Sequence, residues 1–185
     1  MVGLAVKPDY GFDMAINTHH RRVLLLSSAL LMAVSVLAGC SSDISALTKN
    51  KVTPEFNLKN LQGQNIEFPE QFENQVVIIS FWADWCPSCF KEMRDFETIF
   101  QQPKNKGLSI VAINIEQDRK TAITFIGDLK ISYDILFDSN GDTAKNYSVS
   151  ALPAAFIINK DGTLHTRVLG ETPPEVFQNI LDTLL

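Results

Sequence analysis

The sequence predicts one α/β domain in which helices pack on a β-sheet. Strand and helix signals alternate along the chain after residue 52, and two continuous apolar runs have the length of buried strands. Between and after these runs, apolar residues recur at helical spacing. The chain has 185 residues, 45% of them hydrophobic and 20% charged, which suits one globular domain and is too apolar for a disordered chain.

The first half of the domain should contain a hairpin, a buried strand and a helix. Residues 56–58 (FNL) and 66–68 (IEF) alternate apolar and polar side chains about a Gln-Gly pair, which predicts a β-hairpin. Residues Val76–Trp82 (VVIISFW) form an apolar run typical of a central strand buried on both faces. A helix should follow from Pro87 to Gln102, because its apolar residues lie four, three and four positions apart. These residues are Cys89, Met93, Phe96 and Phe100.

The middle of the domain continues the alternation. Leu108–Ile115 (LSIVAINI) predicts a second buried strand. Arg119–Leu129 predicts a helix that turns Ile123 and Ile126 inward. Tyr133–Phe137 predicts a short strand that ends in the turn sequence DSNG.

The last part of the domain should be a hairpin and a helix. Ala155–Ile158 and Thr163–Leu169 flank the sequence NKDG, which is a strong hairpin signal. An amphipathic helix should begin at Pro173. Its predicted inward residues are Val176, Phe177, Ile180, Leu181 and Leu184.

The first forty residues have the pattern of a secretory signal. Arg21 and Arg22 precede sixteen mostly apolar residues, 23–38, which are followed by a glycine and a cysteine. A retained membrane anchor is the alternative, although sixteen residues are at the short limit for spanning a bilayer. Met14 would begin a signal of conventional length, so we take it as a candidate start of the protein.

Residues 37–40 (LAGC) resemble the lipobox of bacterial lipoproteins. The resemblance implies cleavage before Cys40 and lipid on its sulfur, which would hold the chain in a bacterial envelope, facing the periplasm or another extracytoplasmic space. Ser41 resembles an outer-membrane sorting signal, which leaves the choice between inner and outer membrane open. The alternative is a signal peptide in which Cys40 is incidental. We therefore divide the chain into a signal peptide (1–39), a lipidated tether (40–52) and a domain (53–185).

The remaining two of the three cysteines lie in the sequence CPSC at 86–89, where the buried strand ends and the helix begins. Unpaired N–H groups at a helix start stabilise a thiolate, so Cys86 should have a lowered pKa and lie at an exposed mouth. Cys89, one turn inward, should be more buried and can close a disulfide with Cys86. Such pairs exchange electrons through a mixed disulfide.

The cysteine pair has two alternative interpretations. The first is that the two cysteines supply half of the ligands of a zinc site. However, His165 is the only histidine after Cys40, so too few further ligands remain and we predict no metal. A permanent structural disulfide is the other, but a bridge that closes so short a loop adds little stability. Redox chemistry is the favoured interpretation.

Residues 81–89 (FWADWCPSC) resemble the active-site segment of thioredoxin-fold proteins, and among them the exported thiol–disulfide oxidoreductases of the TlpA/ResA type. The similarity runs from Pro54 to the C-terminus. It implies a thioredoxin-like three-layer sandwich, with a central mixed β-sheet, helices on both faces and an N-terminal β-hairpin. It implies no cofactor beyond the redox-active Cys86–Cys89 disulfide.

The resemblance also suggests residues that contact substrate. Leu152-Pro153 matches the family's cis-proline loop, which would face Cys86 and pair with the backbone of an incoming peptide. The alternative is a trans proline that opens an edge strand. Trp85 and Pro87, which flank Cys86, are the remaining candidates for substrate contact.

One acidic residue has a proposed role in proton transfer. Glu92 matches a glutamate close to the cysteines of ResA-like proteins, where a partly desolvated carboxyl could take the proton of Cys89. The alternative is a solvated carboxylate on the helix. The chain departs from its relatives at Ser80, where thioredoxin has a buried Asp, so that proton relay is expected to be absent. Arg94 stands where a proline often kinks the helix.

The resemblance implies a reductant of exported thiol or disulfide proteins, for example apocytochrome c, recharged by a membrane electron donor of the DsbD/CcdA type. A disulfide-forming oxidant of the DsbA type is the second enzyme hypothesis, although such proteins usually carry a helical insertion. A peroxiredoxin would need a threonine near its cysteine. A copper-delivery protein of the Sco type would need a C-x-x-x-C motif and a distal histidine, for which His165 is the only candidate. The net charge of −5 argues against nucleic acid as a partner.

Overall fold

The computed structural model of the chain describes residues 47–115, 118–127 and 129–185. The predicted signal peptide, Cys40 and the first part of the tether lie outside the described residues. No helix within the described ranges is long and apolar enough to cross a membrane.

The described part of the chain forms one seven-stranded mixed sheet. Its strands run in the order β2-β1-β5-β4-β3-β6-β7, with β3, β4 and β5 parallel and the other neighbours antiparallel. The bounds are β1 (Phe56–Asn60), β2 (Asn65–Phe68), β3 (Val76–Trp82), β4 (Leu108–Ile115), β5 (Asp134–Asp138), β6 (Ala154–Ile158) and β7 (Leu164–Leu169). The apolar runs that predicted β3 and β4 coincide with these two strands.

Helices cover both faces of the sheet. They are α1 (Pro87–Phe100), α2 (Arg119–Ile126), α3 (Asp142–Asn146) and α4 (Pro174–Leu181), with 3₁₀ turns at Glu70–Phe72 and Pro103–Asn105. Side chains of α1, α2 and α4 share one core with Ile78 and Ile157. On the other face, Ala144 of α3 shares a second core with Ile79 and Phe156. This arrangement confirms the predicted sandwich and its N-terminal hairpin.

Two predicted inward residues are in fact exposed. Ile123 of α2 is 40% exposed and Val176 of α4 is 41% exposed. Each helix has only eight residues and buries a narrow stripe of residues four apart: Ala122 and Ile126 in α2, and Phe177 and Leu181 in α4. Ile123 and Val176 lie about 100° around the helix from a member of that stripe, which turns them toward solvent.

The short helix α3 was not predicted. The buried Asp138 carboxylate accepts the backbone N–H groups of Thr143 at 3.2 Å and Ala144 at 2.8 Å. Gly141 allows the tight entry, because its φ of 73° is in the left-handed region. An acidic side chain therefore caps a helix too short to show a period.

Residues 47–53, at the end of the predicted tether, pack on the domain. Leu47 is buried in the second core. Hydrogen bonds join the Asn50 N–H to the Leu164 carbonyl (2.7 Å) and the Leu164 N–H to the Lys51 carbonyl (2.8 Å). Val52 forms a β-bridge with Thr163. The expected boundary at residue 52 thus falls within a segment that extends the edge of the sheet beside β7.

Candidate active site

The CPSC sequence lies at the junction of the central strand β3 and helix α1. β3 lies between β4 and β6, so its carboxyl end is in the interior of the sheet and not on an outer strand. Cys86 is the N-cap of α1, and Pro87 is the first helical residue, where its missing N–H costs no hydrogen bond. The strand-to-helix context predicted for the motif is confirmed.

Cys86 and Cys89 are joined by a disulfide, with their Cα atoms 5.4 Å apart. Cys86 is 4% exposed and Cys89 is 1% exposed. Cys89 is the more buried of the two, as expected. The expectation of an exposed Cys86 is wrong for this disulfide-bonded state, because both sulfurs belong to the core under α1.

Glu92 lies one turn after Cys89 on the buried stripe of α1 and is only 5% exposed. Loss of hydration raises the pKa of its carboxyl to about 7, while the Ser80 hydrogen bond acts in the opposite direction. The Asp95 charge raises this pKa further and the Lys91 charge lowers it. The alternative of a solvated carboxylate is therefore wrong.

Ser80 donates its hydroxyl to Oε1 of Glu92 at 3.0 Å. The strand position itself carries no carboxyl, and the Glu92 carboxyl of α1 is hydrogen-bonded to the residue at that position. The contact of Ser80 with Glu92 was not predicted from the sequence. Its signal in the sequence was a lone polar residue inside the apolar run of β3. Arg94 is exposed on the same helix, which continues without a break to Phe100.

The Leu152-Pro153 peptide bond is cis, as the family resemblance implies. Phe81 pairs with Ala154, so this loop lies at the same end of the sheet as Cys86. The Pro153 carbonyl already accepts the Gly170 N–H at 2.9 Å, and proline has no N–H of its own. Among the described residues, none forms a backbone hydrogen bond with Leu152. Leu152, and not Pro153, therefore offers the free backbone groups of the loop.

Trp85 projects from the loop before Cys86 with 67% of its surface exposed. It lines a surface cavity of about 550 Å³ together with Ile115, Lys145 and Leu152. Pro87 is also exposed. The structure thus brings Trp85 and Leu152, two predicted substrate contacts, to one groove beside the cysteine pair.

His165 lies far from the cysteines along the sheet. It sits in β7 next to Leu164, which pairs with Ile158, whereas the strand ends near Cys86 pair Ala154 with Leu169. Burial and then the nearby Lys49 charge lower the pKa of its imidazole. Within the described residues, no group of three or more His, Cys, Asp or Glu side chains could hold a metal ion.

Comparisons with known proteins agree with this architecture. The AhpC/TSA family profile matches residues 50–167, which is more than half of the chain. Thiol-disulfide oxidoreductase ResA of Bacillus cereus is 27% identical over 161 residues, which cover 87% of this chain and 92% of the relative. Sporulation thiol-disulfide oxidoreductase A of Bacillus subtilis is 27% identical over 154 residues, covering 81% of this chain and 92% of the relative.

Solved structures give the same result. A protein described as a thiol:disulfide interchange protein DsbE, from Chlorobium tepidum, superposes with a TM-score of 0.69 at 27% identity, covering 75% of this chain and 99% of the other. StoA from Bacillus subtilis superposes with a TM-score of 0.60 at 27% identity, covering 69% and 96%. The chain therefore belongs to the AhpC/TSA family, and it is an enzyme of the thiol–disulfide oxidoreductase class with a thioredoxin fold.

Proposed function

We propose that the chain is a lipid-anchored, extracytoplasmic reductase that breaks disulfides in exported proteins through Cys86 and Cys89. The observation that carries this proposal is the cysteine pair at the start of α1 with a buried acid, Glu92, one turn behind it. A helix start favours a thiolate at its first residue, and a buried carboxyl with a pKa of about 7 can accept a proton at neutral pH.

The reaction begins with the reduced pair. The Cys86 thiolate attacks one sulfur of the substrate disulfide, which forms a mixed disulfide and releases the other substrate sulfur as a thiolate that takes up a proton. Cys89 then attacks Cys86 Sγ, releases the second substrate thiol and forms the Cys86–Cys89 disulfide. Two electrons pass from the pair to the substrate, and the disulfide seen in the structure is the product state.

The second step needs Cys89 to lose its proton, and we assign Glu92 as the group that accepts it. The two residues are three positions apart on one helix face, so their side chains are neighbours. Cys89 and Glu92 are 1% and 5% exposed, and Glu92 is the one carboxyl among the buried residues of α1. The proton passes to the departing substrate thiolate or to solvent when the site opens.

Peptide substrates dock in the groove beside the pair. The backbone of Leu152 is free to pair with an extended chain, and Pro153 shapes the turn that presents it. Trp85 offers an exposed aromatic surface, and Pro87 borders the attacking sulfur. Apocytochrome c and other exported thiol proteins are substrates of the kind this groove would take.

The proposed location outside the cytoplasm involves both a membrane anchor and an electron donor. Lipid on Cys40 would hold the domain at the membrane, where secreted thiols are oxidised. A reductase there must be recharged, so we propose a membrane donor of the DsbD/CcdA type that returns two electrons to the Cys86–Cys89 disulfide.

Replacement of Cys89 by serine tests the proposal in the exporting cell. The C89S variant should accumulate disulfide-linked complexes on Cys86, because resolution is blocked. The matched control, with both cysteines replaced by serine, should capture nothing. Mass spectrometry of the complexes identifies the substrates, and palmitate labelling of the wild type against Cys40→Ser tests the anchor. Absence of captured protein, together with failure to reduce insulin, would sink the reductase assignment.

A further inference from the structure

Three small residues form a row across the centre of the sheet, beneath helix α1. Ser80 of β3 pairs with Ala112 of β4 on one side and with Ala155 of β6 on the other. All three are at most 1% exposed. On the same face of β3, the residues two positions away are Ile78 and Trp82, which are large and fully buried. The small row therefore leaves room between two bulky side chains.

The carboxyl of Glu92 enters this room from α1. Its hydrogen bond from the Ser80 hydroxyl, 3.0 Å long, is the only one its side chain makes with the described residues. Larger side chains at Ala112 or Ala155 would occupy the same space. We call Ala112, Ser80 and Ala155 the carboxyl slot.

We propose that Ser80 is a positioning residue of the dithiol reaction, which holds Glu92 in the carboxyl slot as the proton acceptor of Cys89. This inference rests on the proposed function. A hydroxyl donor favours the charged form of a buried carboxyl, and the alanines of the slot give that carboxyl no alternative partner. The strand residue thus opposes the larger effect of burial and lowers the pH at which the helix residue can accept a proton.

Few other groups around Glu92 could hold its carboxyl or change the pH at which it accepts a proton. Lys91 and Asp95, on α1 itself, act through their charges in opposite directions. The Tyr133 hydroxyl, whose pKa is affected by the Glu92 charge, donates its hydrogen bond to the Met93 carbonyl at 2.9 Å. Strands β4 and β6 contribute only alanine to the slot. Among the described neighbours, Ser80 is the one neutral donor to the carboxyl.

A direct test measures the titration of Glu92 without any reaction. The oxidised full chain, labelled with ¹³Cδ-glutamate, is titrated by NMR, and the Glu92 signal is assigned by its loss in Glu92→Gln. In Ser80→Ala, the midpoint should move upward by about one pH unit, as expected for loss of a hydrogen bond to a charged acceptor. Ser80→Thr keeps the hydroxyl and should retain the wild-type midpoint.

Ser109→Ala is the matched control. Ser109 is also a strand serine bonded to a side chain, since it donates to Gln75, but it lies at the opposite end of β4 from the cysteines. Its replacement should leave the Glu92 midpoint unchanged. If Ser80→Ala leaves the midpoint unchanged as well, or if Ser109→Ala moves it equally, the positioning role is refuted.

A kinetic readout connects the titration to the reaction. Reduced protein releases two thionitrobenzoate anions from Ellman's reagent, the first on attack by Cys86 and the second on attack by Cys89. In Ser80→Ala, the second phase should slow about fivefold at pH 7 and approach the wild-type rate near pH 9, because a smaller fraction of Glu92 is ionised at pH 7. A uniform slowing at every pH would show a merely structural effect and overturn the proposal.

The two readouts separate failure of this inference from failure of the proposed function. A protein that reduces no protein disulfide but shows the NMR midpoint shift would refute the reductase and keep the Ser80–Glu92 coupling. A protein that reduces disulfides normally, with the same pH profile in Ser80→Ala, would keep the reductase and refute the role of Ser80.

Discussion

Replacing Glu92 by glutamine should stabilise the folded protein at alkaline pH. The carboxyl is 5% exposed, and burial raises its pKa from 4.5 to about 7. The folded state therefore binds this proton more tightly than the unfolded state does. The contribution of the protonated group is fully present below pH 4.5 and is lost as the pH rises from 4.5 through 7.

The magnitude follows from the same two values. A difference of 2.5 between 4.5 and 7, at about 1.4 kcal/mol for each pKa unit, makes the ionised carboxyl destabilising by about 3 kcal/mol at pH 8. At pH 5 the same calculation gives less than about 1 kcal/mol. Glutamine has nearly the same shape, can accept the Ser80 hydrogen bond and carries no charge, so it removes this cost.

The assay is urea unfolding of the oxidised wild type and Glu92→Gln between pH 5 and pH 8. The advantage of the variant in unfolding free energy should grow by about 2 kcal/mol or more across that range. Glu97→Gln, on the same helix, is the control: partial burial raises the pKa of Glu97, but its hydrogen bonds with Ser132 and Gln101 together outweigh burial and leave this pKa lowered, so no such alkaline gain is expected. An advantage of Glu92→Gln that does not change with pH would refute the argument that burial controls this group.

Three further substitutions test other parts of the account. Trp85→Ala should lower kcat/KM about tenfold for a protein disulfide and leave the rate with Ellman's reagent unchanged, because an exposed aromatic contact is lost but the thiols are not altered; equal losses on both substrates would contradict this. Asp138→Asn should cost about 1–2 kcal/mol in urea unfolding, since one amide oxygen cannot replace a carboxylate that accepts the N–H groups of both Thr143 and Ala144; no loss would contradict the capping of α3. Leu47→Ala should cost about 2 kcal/mol, while Val52→Ala, at a residue 74% exposed, should cost little; equal effects would show that residues 47–53 are not packed as described.

The sequence predicted best those features that a short stretch of chain controls alone. Val76–Trp82 and Leu108–Ile115 coincide with β3 and β4, because a strand buried on both faces must be apolar at every position. The strand-to-helix junction predicted for the CPSC sequence is also correct, because it depends on neighbouring residues alone. The two cysteines and the proline all lie within the four residues at which helix α1 begins.

Features that depend on contacts between distant residues were not predictable in this way. Ser80 and Glu92 are twelve positions apart, and their hydrogen bond exists only because α1 packs over small residues of two neighbouring strands. Helix α3 has five residues and is capped by Asp138, so it shows no periodicity. The exposure of Ile123 depends on how far α2 rotates against the sheet, which its own sequence does not determine.

The reduction potential of the Cys86–Cys89 pair tests the central claim most directly. The purified oxidised domain is equilibrated with glutathione redox buffers, and the fraction of dithiol is measured by alkylation and mass spectrometry. We predict a potential more negative than about −200 mV, so that the reduced pair gives electrons to oxidised proteins outside the cytoplasm. A potential near about −120 mV would identify a disulfide-forming oxidant and contradict the reductase account.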